Sequence, residues 1–174
     1  MTELSIIPEC YIYTRVAEIS GQAKRGYNHK HGCGGVAREL KNKFGNRIAL
    51  GIIDLDKNKG PEAKYFLEFQ EVRVENNLIL KKHRDRKHYL ILICPEMEEW
   101  LTNEALSVNL NLRDFELPDE MKGFKALTKA QSIVKHEGFK RFVKALIREN
   151  APSITTLKTW IELYKKDELD TLIN

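Results

Sequence analysis

Two carboxylates close the apolar run at residues 47–56 (RIALGIIDLD), and they are the residues in this chain best placed to do chemistry. A short run rich in aliphatic and β-branched side chains, bounded by Gly45 and Asn46 on one side and by 57–60 (KNKG) on the other, reads as a buried strand. Alternation along a strand puts residues i and i+2 on one side, so Asp54 and Asp56 converge at its carboxyl end. Carboxylates held that close repel unless a proton or cation neutralises them, and a hard divalent ion such as Mg2+ or Mn2+ is the common solution. A third carboxylate, Glu9, ends the first apolar stretch, 3–9 (ELSIIPE). Glu9, Asp54 and Asp56 are thus the candidate catalytic and metal-binding residues. Asp is also frequent at strand exits as a turn former or helix cap, so the bland reading stays open beside the metal one.

Other polar residues fall around these ends. Lys57 and Lys59, just past the aspartates, could steady a phosphate or be ordinary loop lysines. The loop at 26–35 (GYNHKHGCGG) is too rich in glycine to be an element interior. Its glycines, Gly34 among them, would let the backbone approach an anion at the start of the next helix, with His29, Lys30 and His31 as added donors. The His-x-His-x-Cys spacing there fits no closed zinc site. Glu96, Glu98 and Glu99 follow a strand and suit the first turn of a helix, where the macrodipole favours acids. Glu96, nearest the strand end, is the one offered as a further metal ligand. The basic link 81–88 (KKHRDRKH) reads as a solvated connection or as a contact to nucleic acid.

The elements that must position these residues follow from periodicity. A first strand at 3–9 leads to a helix over 11–20, with Ile12, Val16, Ala17 and Ile19 at helical spacing and Gly21 as its stop. A second helix starts at Val36 and carries Val36, Ala37, Leu40 and Phe44. After the aspartate strand, Tyr65, Phe66 and Phe69 suggest a third helix over 61–72, and 78–80 suggests a short strand. Residues 89–94 (YLILIC) form the second buried strand, and Pro95 begins a helix with Trp100, Leu101 and Leu106 on its apolar side. This alternation predicts an α/β three-layer sandwich around a mainly parallel sheet, joined by right-handed crossovers. The tail differs in kind. Phe139, Phe142, Val143, Leu146 and Ile147 line one face of a helix whose other faces carry Lys140, Arg141, Lys144 and Arg148, and Leu157, Trp160, Ile161 and Tyr164 repeat the pattern. The division expected is an α/β core at 1–120 and a basic helical C-terminal extension at 121–174, packed on that core.

A chain of 174 residues suits one such domain without disulfide staples. Its three widely spaced cysteines suit buried thiols in a reducing compartment, with cytoplasm as the default. No apolar run approaches the roughly 20 residues of a membrane span, and the first residues lack a signal-peptide layout. A net charge of +4 permits a phosphate-bearing partner without demanding one. Acids concentrate at the strand ends and bases in the tail, the layout a metal-dependent enzyme acting on a polyanion needs.

Taken in order, Glu9, the glycine turn at 32–35 and the Asp54-x-Asp56 pair resemble the TOPRIM family, the metal-binding fold of topoisomerases, bacterial primases, recombination proteins and overcoming-lysogenization-defect nucleases. Residues 93–101 (ICPEMEEWL) are also similar to the strand, acidic turn and Trp-Leu helix of small TOPRIM-like defence proteins. The resemblance spans about residues 4–105 and departs at two places: the family writes Glu-Gly where this chain has Glu9-Cys10, and where a second acidic or Thr-acid feature often follows within one turn this chain has Tyr11, Tyr13 and Thr14. It implies a Mg2+-dependent nuclease acting on DNA or RNA, with Glu9 completing the metal shell or serving as general acid, and with an ATPase partner supplied by another protein. No Gly-rich phosphate loop of the Walker type stands in this chain to hydrolyse ATP itself. The rival reading is a catalytically inactive TOPRIM-like module that binds nucleic acid or protein. A small-molecule phosphatase with Asp54 as covalent nucleophile ranks third.

Overall fold

The structure, a computed structural model, describes residues 3–54 and 61–173. It is α/β, built on one five-stranded sheet in the order β1-β2-β5-β4-β3. Strand β1 (Ile6–Pro8) pairs in parallel with β2 (Ala49–Asp54), and β2 pairs in parallel with β5 (His88–Ile93). Only β4 (Leu78–His83) runs the opposite way: it is antiparallel to β5, and β3 (Phe69–Glu75), antiparallel to β4, shares the direction of the other three strands. The sheet is therefore mixed, which corrects the expectation of a mainly parallel one.

The difference traces to residues 61–83. The helix expected over 61–72 is a 3-10 segment at Glu62–Glu68 that gives way to β3, so Tyr65 and Phe66 are buried by the former and Phe69 by the latter. Asn76 and Asn77 both adopt positive φ, 46° and 59°, the left-handed pair a two-residue hairpin turn requires, and the chain reverses instead of crossing over. The polar link expected at 81–88 is shorter than read, because Lys81, Lys82 and His83 complete β4.

Both faces of the sheet are covered, and the alternation of its strands sorts their side chains accordingly. Ile6, Leu50, Ile52, Leu80, Tyr89, Ile91 and Ile93 share one apolar cluster with α1 (Cys10–Ser20), α3 (Met97–Ser107), α4 (Met121–Lys129), α5 (Glu137–Arg148) and α6 (Pro152–Lys166). Ile7, Ile53, Leu90 and Leu92 point the other way, onto α2 (Gly32–Arg38), its π-helical continuation Glu39–Phe44 and the 3-10 segment. The tail helices lie within the first cluster, where Phe142, Leu157, Trp160 and Ile161 meet the strand residues. A buried carboxylate joins them to the rest: Glu104 of α3 accepts from Ser153 N at 2.8 Å and Ile154 N at 3.2 Å, satisfying amides of the first turn of α6 that have no intrahelical partner.

Helix α2 begins four residues earlier than periodicity suggested, with Gly32 to Gly35 as its first turn. Helix α3 begins later, at Met97, with Glu96 as its N-cap. On the thinner face Gly51 sets the spacing, since a β-carbon there would lie 2.8 Å from Leu90 Cδ1 and 3.0 Å from Val36 Cγ1. No helix among the described residues is long and apolar enough to cross a membrane.

Candidate functional site

The carboxyl ends of β1 and β2 lie side by side, and this brings Glu9 to Asp54. Pro8 is in register with Ile52, the Glu9 amide donates to the Ile52 carbonyl at 2.9 Å, and the Asp54 amide points to Glu9 Oε2 at 3.4 Å. Both acids are buried, with 3 % of Glu9 and 2 % of Asp54 exposed. Carboxylates this dry are costly to keep charged without a cation or hydrogen-bond donors around them. Asp56, Lys57 and Lys59 lie outside the described residues.

Segment 28–30 extends the sheet beyond β1. Asn28 N donates to Ile6 O at 3.0 Å, Lys30 N to Pro8 O at 3.0 Å, and Cys10 N to Lys30 O at 2.8 Å. An edge strand is thereby covered, and Glu9 sits between Lys30 and β2. Cys10 takes φ 49°, a left-handed conformation that a glycine adopts freely and a cysteine does not.

The loop donors read from sequence are placed near Glu9 but are occupied. Thr14 Oγ1 gives its one hydrogen to the Cys10 carbonyl at 2.8 Å and lies 3.1 Å from His29 Nδ1, so the ring nitrogen must be the donor in that second bond. Burial, with the Cys10 carbonyl opposing and the charges of His31 and Lys30 adding, lowers His29 below the ordinary imidazole range. A neutral ring with Nδ1 committed cannot also donate to an anion. The His29 ring stacks on Tyr11 at 4.4 Å, and the exposed His31 meets both rings edge-on. Lys30 turns its ammonium to Glu39 at 3.1 Å. Burial opposes the ionisation of Glu39, but hydrogen bonds from Lys43, Asn28 and Lys30 hold it down at about 2. Gly34 stands in the first turn of α2, 3.7 Å from Glu62 where its β-carbon would be. Tyr11 and Thr14, which orient His29, stand out in the sequence only as departures from the family's pattern, with no role attached. Their i, i+3 spacing on the helix after Glu9 was the available signal.

Glu96 does not join the Glu9 and Asp54 pair in any group of donors: its carboxylate takes Lys125 of α4. Glu98 accepts from Thr128 at 2.5 Å and is likewise a tie between α3 and α4. Among the described residues, no three His, Cys, Asp or Glu side chains gather in a group able to hold a metal ion. The donor set there is two oxygen ligands, which suits a hard cation in kind and leaves any third protein ligand to a residue not described, such as Asp56.

At the opposite edge of the sheet, a second polar assembly was not foreseen. His88, with no exposed surface, lies 2.6 Å from the Tyr65 hydroxyl through Nδ1, and His83 packs beside both. Burial first, then the charges of His83 and Arg86, push His88 down to about 4, while burial pushes Tyr65 up to about 12. His83 accepts the Asp85 and Arg86 amides at Nδ1 and pairs with Glu68 through Nε2, which shapes the β4–β5 turn. No family model matches the chain, and no curated protein or solved structure is significantly similar to it.

Proposed function

We propose that this chain is a Mg2+- or Mn2+-dependent phosphoryl-transfer protein of TOPRIM type, a nuclease acting on DNA or RNA. The observation that carries the reading is the meeting of Glu9 and Asp54 at the carboxyl ends of adjacent parallel strands, the edge at which open α/β sheets bind ligands. Cys10 adds to it, because the position where the family has glycine takes a glycine-like φ here. Glu9 and Asp54 would hold the ion, with Asp56 as the third ligand on sequence grounds. A bound divalent ion would neutralise charge on the transferring phosphoryl oxygens and lower the pKa of an attacking water. Glu9, if it is not a ligand, is the group placed to pass a proton to the leaving oxygen. Nucleotide hydrolysis, where it accompanies the reaction, belongs to a separate ATPase partner.

The test is cleavage of plasmid, single-stranded DNA and RNA by the purified chain with Mg2+ or Mn2+, compared with Asp54→Ala and Glu9→Gln. Activity that survives Asp54→Ala unchanged rejects the proposal. The second reading, a catalytically inactive binding module, rests on the departures from the family's pattern at Cys10 and Tyr13. Calorimetric titration with Mn2+ separates the two, since a module shows no metal-binding heat that depends on Asp54.

A further inference from the structure

The amino ends of β2 and β5, at the edge away from Glu9 and Asp54, carry a concentration of cations that the proposed chemistry does not use. Lys41 and Lys43 come from the helical segment before β2, Arg47 from the turn into it, and Arg84, Arg86 and Lys87 from the turn into β5. Backbone and side-chain bonds fasten the two groups together. Arg86 Nη1 donates to Lys41 O at 3.3 Å, Arg47 Nη2 to Lys43 O at 2.5 Å, and Ala49 N to Lys87 O at 3.1 Å. Lys41 and Arg86 lie over the same Tyr65 ring, at 6.0 and 5.6 Å from its centroid.

Part of this has a plain structural use. The guanidiniums of Arg47 and Arg86 satisfy carbonyls at the end of the helical segment, where positive charge is favoured, and Lys43 pairs with Glu39. Lys41, Arg84 and Lys87 do not cap that segment, although Lys41 lies over the Tyr65 ring and the charge of Lys87 reaches Asp170. All three are exposed, and none forms an ion pair among the described residues. The acids nearby are largely engaged: Glu68 with His83, Glu39 with Lys30 and Lys43, and Asp170 with Lys82 and Tyr89, which leaves Asp85 in the same turn. Like charges held in one patch by the backbone repel one another, and a polyanion relieves that repulsion while releasing its own counterions. Tyr65 and Lys41 also line a groove of about 490 Å³ between α2 and the 3-10 segment, whose walls are mixed in charge: Lys64 faces it, but so do Glu68 and the Arg38–Glu62 pair.

We infer that this amino-end edge, centred on Lys41, Arg47, Arg84 and Lys87, is a docking face for a nucleic-acid backbone, separate from the carboxylate edge. Strand β2 spans roughly 17 Å from Ala49 to Asp54 at the usual rise per residue, about five nucleotide steps of a stacked strand. That distance runs through the buried core, so the two ends present separate surfaces, and binding here needs neither metal nor cleavage.

The experiment is fluorescence anisotropy of a labelled single strand of about 20 nucleotides with the full chain in excess EDTA, across roughly 50 to 200 mM salt. The variant Lys41→Gln/Arg47→Gln/Arg84→Gln/Lys87→Gln should bind at least about tenfold more weakly, and its slope of log affinity against log salt should flatten by about two to three. A tail variant, Lys140→Gln/Lys144→Gln/Arg148→Gln, should retain the wild-type slope. Because Arg47 helps to end a helical segment, the triple variant that keeps Arg47 is run beside the quadruple one, with thermal melts of both. Equal binding by the wild type and the triple variant overturns the inference, as does a loss confined to the tail variant. Binding of anionic vesicles without binding of the oligonucleotide also overturns it. All of these are read without divalent metal, so failure of the proposed nuclease activity leaves the result interpretable.

Discussion

The two ends of β2 make opposite electrostatic choices within one strand. At Asp54 the sheet buries two acids, with the Asp54 amide turned to Glu9 and the edge of β1 covered by 28–30. At Ala49 it exposes lysines and arginines above a buried, neutral pair of His88 and Tyr65. Burial concentrates a field at a point, which suits chemistry on a single phosphoryl group, whereas exposure spreads it over a surface, which suits a long polyanion. The difference teaches that charge sorting in this protein follows the sheet's polarity, which the net charge of +4 does not reveal.

The largest effect should come from the acidic end. Asp54→Ala should lower metal-dependent cleavage about a thousandfold, the equivalent of some 4 kcal/mol of charge stabilisation, whereas the basic-edge variants should act on KM. Steady-state kinetics on one substrate shows whether the two ends separate in this way.

Next in size is the pH response of the basic end. His88 is depressed in the folded chain to about 4 from an ordinary 6.5, so its neutral form is the folded one. The stability it contributes is fully present above pH 6.5 and is lost as pH falls towards 4, by up to about 3 kcal/mol. Urea midpoints at pH 7.5 and 4.5 should show this loss, and His88→Gln should shrink it. An equal loss in both proteins would assign the acid response to carboxylates instead.

Tyr65→Phe tests the same end more gently. It removes the hydroxyl that meets His88 Nδ1 and leaves a buried ring nitrogen without that partner, at a cost of about 1 to 2 kcal/mol in urea denaturation. The smallest change belongs to the acidic end. Cys10→Gly relieves a left-handed backbone and should stabilise by up to about 1 kcal/mol, read as a rise in melting temperature. A fall would mean that contacts of the thiol outweigh the strain at φ 49°.

Much of this was legible in the chain itself, and the reasons are local. Runs of aliphatic residues at 47–54 and 89–94 can only be buried strands, and the stripe of Phe139, Phe142, Val143 and Leu146 can only be one face of a helix. The position of Glu9 and Asp54 at strand exits was legible for the same reason. The hairpin was misread because Tyr65, Phe66 and Phe69 mimic helical spacing, although the alternation after Phe69 and the Asn76-Asn77 pair carried the opposite signal. The early start of α2 was hidden by Gly32, Gly34 and Gly35, whose low helix propensity argues against a helical first turn.

The sequence by itself determined which segments seek burial and where charge must stay at their ends, since hydrophobic period and residue type act over a few positions. Tertiary structure alone decided that Lys30 spends its charge on Glu39, that Glu96 goes to Lys125, and that Lys41 meets Arg86 over one ring. Those outcomes depend on strand order and helix placement across dozens of residues. Side-chain charge carries no record of its eventual neighbour until the sheet has assembled.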